Sequence, residues 1–188
     1  MLSFFHQAYY TRGTAKGEKM KKLTIRDVAD IAIVAAIYVV LTVTPPLNAI
    51  SYGAYQFRIS EMMNFMAFYN PKYIIGVTIG CMIANFFSFN MIDVVVGSLS
   101  TLVFVGSGVY FFDRFKNQEI LGGLFDKAHV YFAFYFSFFM VTIAAELTLV
   151  TQAPFWATWF TVAMGELASL LVGAILIKKL AKVIDFVS

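Results

Sequence analysis

An all-α integral membrane protein, with six transmembrane helices and both the N-terminus and the C-terminus cytoplasmic, is the fold class that this sequence predicts. Three observations carry the prediction. Of the 188 residues, 60% are hydrophobic and 13% charged, about half the charged share of a soluble domain. The mean hydropathy is +0.77, and the 21 Phe and 10 Tyr exceed what a soluble core of this length takes up. The apolar runs are long and continuous, whereas a β-barrel would show short alternating segments. The net charge of +3 is small and clusters in connections, so nucleic acid is not an expected partner. Cys81 stands alone in an apolar run and reads as a small packing residue.

The segment 1–19 is unlike the rest. It has no signal-peptide core or cleavage site. Met20 opens "MKKLTIRD", an ordinary start for a membrane protein, and "KGEKM" can be encoded by a purine-rich ribosome-binding sequence ahead of an ATG. The expectation is a translated leader or disordered tail over 1–19 and one six-helix membrane domain over 20–188.

The first helix is expected from Val28 to Thr44, stopped by Pro45-Pro46. The loop "PPLNAISYGAYQ" follows. The second, Phe57 to Tyr69, is too short to cross roughly 30 Å of hydrocarbon alone; it is extended by the preceding loop or sits against a polar cavity. The third runs from Tyr73 to Phe89 and the fourth from Ile92 to Phe112. After the polar connection "DRFKNQEILGGLFDK", the fifth runs from Val130 to Val150 and the sixth from Phe155 to Ile177. With six spans, Lys21, Lys22, Arg26, Lys72, Arg114, Lys116, Lys127, Lys178, Lys179 and Lys182 all fall on one side, which is cytoplasmic by the positive-inside rule. On the other side the loops carry only Arg58. Small residues recur every fourth position: Gly76, Gly80, Ala84 and Ser88 on the third helix, Gly165, Ser169 and Gly173 on the sixth, Ala32 and Ala36 on the first. Such stripes let helices approach closely, within the bundle or against a partner.

Ionisable groups in lipid are costly and mark cavities or pairs. Counted from the exterior helix ends at about 1.5 Å per residue, Glu61, Asn85 and Glu146 lie at one depth. Asn48, Tyr55 and Gln56 in the first exterior loop can cover that level, with Asn90, Asp93, Gln152 and Trp156 at its rim and Trp159 a turn into the sixth helix. Polar groups among aromatic walls have the make-up of a small-molecule site. Plainer readings stand beside this one. Arg58 and Glu61, three apart, can neutralise each other. Asn85 can bond between helices. Glu166, near mid-membrane, either floors the pocket or bonds to a hydroxyl of the fourth helix. Trp156 and Trp159 can form an interfacial belt, and His129 reads as interfacial. There is no phosphate-cradling G-x-x-x-x-G-K-[ST] loop, no zinc-ligand cluster and no G-x-S-x-G nucleophile elbow. The expectation is therefore a protein without enzymatic activity, cofactor or metal.

"YQFRISEMMNFMAFYNPKYIIGVTIGCMIANFFS", followed by "DVVVGSLSTL", resembles the QueT family, the substrate-binding S components of energy-coupling-factor (ECF) transporters for queuosine precursors. The resemblance runs from Lys21 to the end of the sixth helix and rests on the combination R-I-S-E, N-P-K-Y and D-x-x-x-G-S-x-S-T. It implies a bacterial cell-membrane protein that captures substrate outside and passes it to a transmembrane coupling subunit with two ATPase subunits. Ala32 and Ala36 resemble the docking motif for that subunit. It implies a ligand such as 7-aminomethyl-7-deazaguanine, whose guanine-like face and ammonium suit two carboxylates, Glu61 and Glu146, with Asn85 on the carbonyl and Tyr55 or Trp159 on the ring. Arg58, Asn64, Gln56, Asp93 and Glu166 complete the candidate set. Two rival readings remain: an S component for another vitamin such as thiamine, and a proton-coupled carrier working through Glu166 or Glu146.

Overall fold

The computed structural model describes residues 23–52, 56–88 and 90–187; segment 1–19 and Tyr55 lie outside them. The described chain is mostly helical. Helix α1 (Ile25–Val43) is followed by the short α2 (Leu47–Ser51), a 3₁₀ helix (Ile59–Phe68), α3 (Lys72–Asn85) and α4 (Met91–Phe112). A hairpin of two short antiparallel strands, β1 (Glu119–Ile120) and β2 (Phe125–Asp126), precedes α5 (Lys127–Phe138), α6 (Val141–Thr151) and α7 (Phe155–Leu180). Three helical stretches are long and apolar enough to cross a membrane by length and composition: Met91–Phe115, Lys127–Thr151 and Phe155–Leu180.

Helix α1 starts on a reciprocal cap in which the Thr24 side chain accepts from the Asp27 N–H and the Asp27 carboxylate accepts from the Thr24 N–H. Its inward stripe is Ile31, Val34, Ala35, Tyr38 and Thr42, at helical spacing. That stripe packs on the glycines of α3. A Cβ on Gly76 would lie 3.1 Å from Val34, and one on Gly80 would lie 2.7 Å from Tyr38. On α7, Gly173 meets the backbone of Met62 in the 3₁₀ helix. The glycine stripes of the third and sixth predicted helices thus serve packing inside the bundle. Ala32 and Ala36 are exposed on the opposite side of α1, flanked by exposed Ile33, Ile37 and Val40.

The second predicted helix is a 3₁₀ helix. Its rise of about 2.0 Å per residue carries ten residues about 20 Å, where an α-helix would reach about 15 Å. The fifth predicted helix is two helices, α5 and α6, joined at Phe139 and Met140. The freed Phe138 carbonyl accepts the Trp159 indole N–H at 3.1 Å.

At the end of the bundle where α1 begins and α7 ends, lysines act as staples. Lys72 is buried and binds Asp27 at 3.0 Å and Asp30 at 2.7 Å, tying α3 to α1. Lys178 binds Glu119 at 2.8 Å, Asp126 at 3.1 Å and the Gly123 carbonyl at 2.9 Å, tying the hairpin to α7. Lys116 donates to the Phe68 carbonyl at 2.7 Å, at the end of the 3₁₀ helix. His129, expected at the interface, is fully buried among Phe65, Phe68 and Tyr69. The 3₁₀ helix packs against α5 there, and the aromatic rings close over the imidazole.

Candidate functional site

The polar residues at 56–58 and of the 3₁₀ helix reach the interior because the chain enters the bundle before it coils. Arg58 is extended (φ −101°, ψ 102°) and caps the 3₁₀ helix. Its carbonyl accepts a hydrogen bond from Ser169 of α7. This tie brings Glu61 to the level of Glu166, one turn from Ser169 on α7. The two carboxyls line one cavity of about 310 Å³, its open mouth included, together with Gln56 and Arg58. Ser100, Thr101 and Gly97 of α4, Phe136 of α5, Met140 at the α5–α6 joint and Ile143 of α6 form much of the remaining wall, with Cys81. One cation and two carboxyls therefore face each other across a partly apolar wall.

Each charged group is held differently. Glu61 is buried and accepts from the Tyr38 hydroxyl at its Oε1 and from the Asn64 amide at its Oε2, both at 2.5 Å. None of the ion pairs among the described residues joins Arg58 to Glu61. The guanidinium instead donates to the Ser51 carbonyl at 3.4 Å and lies over the Tyr52 ring at 5.2 Å. Glu166 is buried, and its Oε1 has no hydrogen-bond partner.

The other predicted residues are placed one helical turn further toward the α3–α4 connection. Asp93 precedes the cavity-lining Gly97 by four residues, and Glu146 follows Ile143 by three. The two carboxyls are near neighbours, and Glu146 Oε1 is buried without a partner. Asn85 donates to the Asp93 carbonyl at 2.9 Å and to Cys81 Sγ at 3.4 Å, tying α3 to α4. Trp159 lies outside the cavity lining, packed edge-on against Phe138 and Trp156. Helix-end counting put Glu146 and Asn85 level with Glu61 and set Glu166 deeper. The non-helical entry at 56–58, extended at Arg58, is what moves Glu61 inward.

Sequence reasoning passed over Tyr38, Ser100 and Thr101. The signal for Tyr38 was present: it is the polar-tipped member of the inward stripe of α1, where every neighbour at i−3 and i−4 is aliphatic. The described residues contain no group of three or more His, Cys, Asp or Glu side chains placed to hold a metal ion.

A family model described as QueT transporter matches residues 28–182. The queuosine precursor transporter QueT of Lactococcus lactis subsp. cremoris is 58% identical over 166 residues, which is 88% of this chain and 98% of that protein. No solved structure matches the chain. The match spans nearly the whole of the relative, and the apolar helices are those of a multi-pass protein of the bacterial cell membrane. By sequence along most of its length, the chain belongs to the QueT transporter family.

Proposed function

We propose that this chain is the substrate-capture subunit of an ECF-type importer, with six membrane-crossing segments and cytoplasmic termini, and that it binds 7-aminomethyl-7-deazaguanine. The observation that carries the reading is the cavity in which Arg58, Glu61 and Glu166 converge. Buried charges of this kind mark a substrate path, and a single cation facing two carboxyls suits a ligand that brings its own positive charge. Glu61 accepts the adjacent N–H groups of the guanine-like face, and Arg58 donates to the carbonyl. Glu146 and its neighbour Asp93, one turn nearer the mouth, receive the ammonium. Charge-assisted bonds of these kinds are about twice as strong as neutral ones. The relative's name supports the substrate class.

Capture and energy supply are separate jobs in this reading. The sequence carries no nucleotide-binding loop, so a coupling subunit and two ATPases drive transport. The low-relief stripe of Ala32 and Ala36 is exposed where the glycine stripes of α3 and α7 are consumed by internal packing. A transmembrane helix of a partner can approach closely there.

The test is calorimetric binding to the purified protein. Tight binding of 7-aminomethyl-7-deazaguanine, weaker binding of the 7-cyano analogue and no binding of thiamine are expected. Equal affinity for the two deazapurines would remove the ammonium-pairing role, and binding of thiamine alone would reassign the substrate. The unpartnered Glu166 favours one rival, a proton-coupled carrier. Uptake that needs a proton gradient and proceeds without ATPase subunits would establish that rival instead.

A further inference from the structure

Glu61 is the carboxyl on the cavity wall whose two oxygens are both already bonded within the protein, and the donors come from different elements. Asn64, one turn along the 3₁₀ helix, donates to Oε2. Tyr38, on α1 and twenty-three residues away in sequence, donates to Oε1. Tyr38 is completely buried and is not part of the cavity lining, so it approaches Glu61 from behind. Its position is fixed on the other side by Gly80, where a Cβ would lie 2.7 Å from the Tyr38 Cβ and 2.9 Å from its Cγ. Thr42, one turn along α1, donates to Ser60 at 2.7 Å and so locks α1 to the same stretch of 3₁₀ helix. A carboxylate oxygen has room for two donors. With one site of each oxygen filled from behind, Glu61 presents one remaining acceptor site per oxygen, side by side.

We propose that Tyr38 is a positioning residue that fixes Glu61 as a paired acceptor, so that the site selects ligands with two adjacent N–H donors on one edge. The inference rests on the reading of the cavity as a deazapurine site and adds how that site reads the base. A guanine-like edge offers a ring N–H and an exocyclic amine together. The same ring without the 2-amino group offers one donor and leaves one Glu61 oxygen unmatched, which is costly in a buried site.

The experiment compares 7-aminomethyl-7-deazaguanine with its analogue lacking the 2-amino group, on the natural protein and on Tyr38→Phe. Phe keeps the ring that packs on Gly80 and removes only the hydroxyl; a cooperative thermal transition verifies that the variant is folded. The natural protein is expected to prefer the amino-bearing ligand by about tenfold or more. Tyr38→Phe is expected to bind that ligand about tenfold more weakly, with the preference reduced to about threefold or less. A natural protein that binds both ligands equally overturns the inference without any variant. A Tyr38→Phe protein that keeps the full preference, at whatever affinity, assigns Tyr38 to packing alone and also overturns it. If the natural protein binds neither ligand, the deazapurine reading itself falls and the inference falls with it.

Discussion

Glu61 and Glu146 differ in what already holds them, and that difference separates their roles. Glu61 has a protein donor on each oxygen, whereas Glu146 is buried beside another carboxyl with one oxygen unmatched. Replacing Glu61 by Gln swaps an acceptor oxygen for an amide that points donors at donors. It is expected to weaken the aminomethyl and cyano deazapurines alike. Glu146→Gln is expected to weaken the aminomethyl ligand by about 2 kcal/mol, the scale of a lost charge-assisted bond, and to leave the cyano analogue within about 0.5 kcal/mol. Calorimetry on both variants with both ligands checks the pattern; parallel losses in the two variants would merge the two carboxyls into one role. Part of the lining of this candidate site was legible: the sequence singled out Glu61, Arg58, Gln56 and Glu166, which all line one cavity. Their relative depth was not, because depth was counted along helices and the chain at 56–58 is not helical.

At the scale of elements, glycine and alanine stripes that look alike in sequence do opposite work. A Cβ at Gly173 would enter the space of the Met62 backbone, and a backbone cannot move aside as a flexible side chain can. Gly173→Ala is therefore expected to destabilise the fold by about 1–3 kcal/mol, read as a lowered thermal midpoint in detergent. Ala36→Leu adds far more bulk on an exposed face and is expected to leave the midpoint and ligand affinity unchanged while abolishing co-purification with a coupling subunit. Normal assembly would take the α1 stripe out of partner contact. The spacing alone could not separate the two cases, since the period is the same and only the tertiary neighbour differs. Helix limits show a similar contrast. Pro45-Pro46 marked the end of α1 to within a residue, because a missing N–H stops a helix wherever it occurs. The 3₁₀ character of 59–68 left no mark, since eight of its ten residues are buried and no polar face displays either period. The break between α5 and α6 was equally silent: "SFFMV" holds neither Pro nor Gly.

The whole molecule is closed at one end by charge and open at the other to a cavity. The basic residues that predicted one cytoplasmic side also fasten that side: Lys72 joins α3 to α1, and Lys178 joins the β1–β2 hairpin to α7. The Lys178 ammonium beside Glu119 holds that carboxyl below its ordinary range, chiefly by direct hydrogen bonding. A lowered carboxylate pKa means that the contact is fully present above the ordinary value of about 4.3 and is lost as pH falls through the lowered one. Between pH 8 and 5 the hairpin is accordingly expected to stay fastened, and below about pH 4 it should loosen progressively. Amide exchange at 119–126 followed across that range checks this, and protection that did not change down to pH 2 would assign the fastening to the Gly123 carbonyl, which does not titrate. Charge counting grouped these lysines together; it carried no information about their partners, which are contributed by segments up to 59 residues away.

The two indoles of the chain, Trp156 and Trp159, sit 6.1 Å apart on one turn of α7, and Trp159 is bonded to the carbonyl at the α5–α6 joint. All tryptophan emission therefore originates from a single spot at the mouth end of the bundle. The protein carries its own optical probe there, tuned to the backbone of the broken helix whose two halves wall the cavity, and a change in that joint is visible as a change in colour without any label.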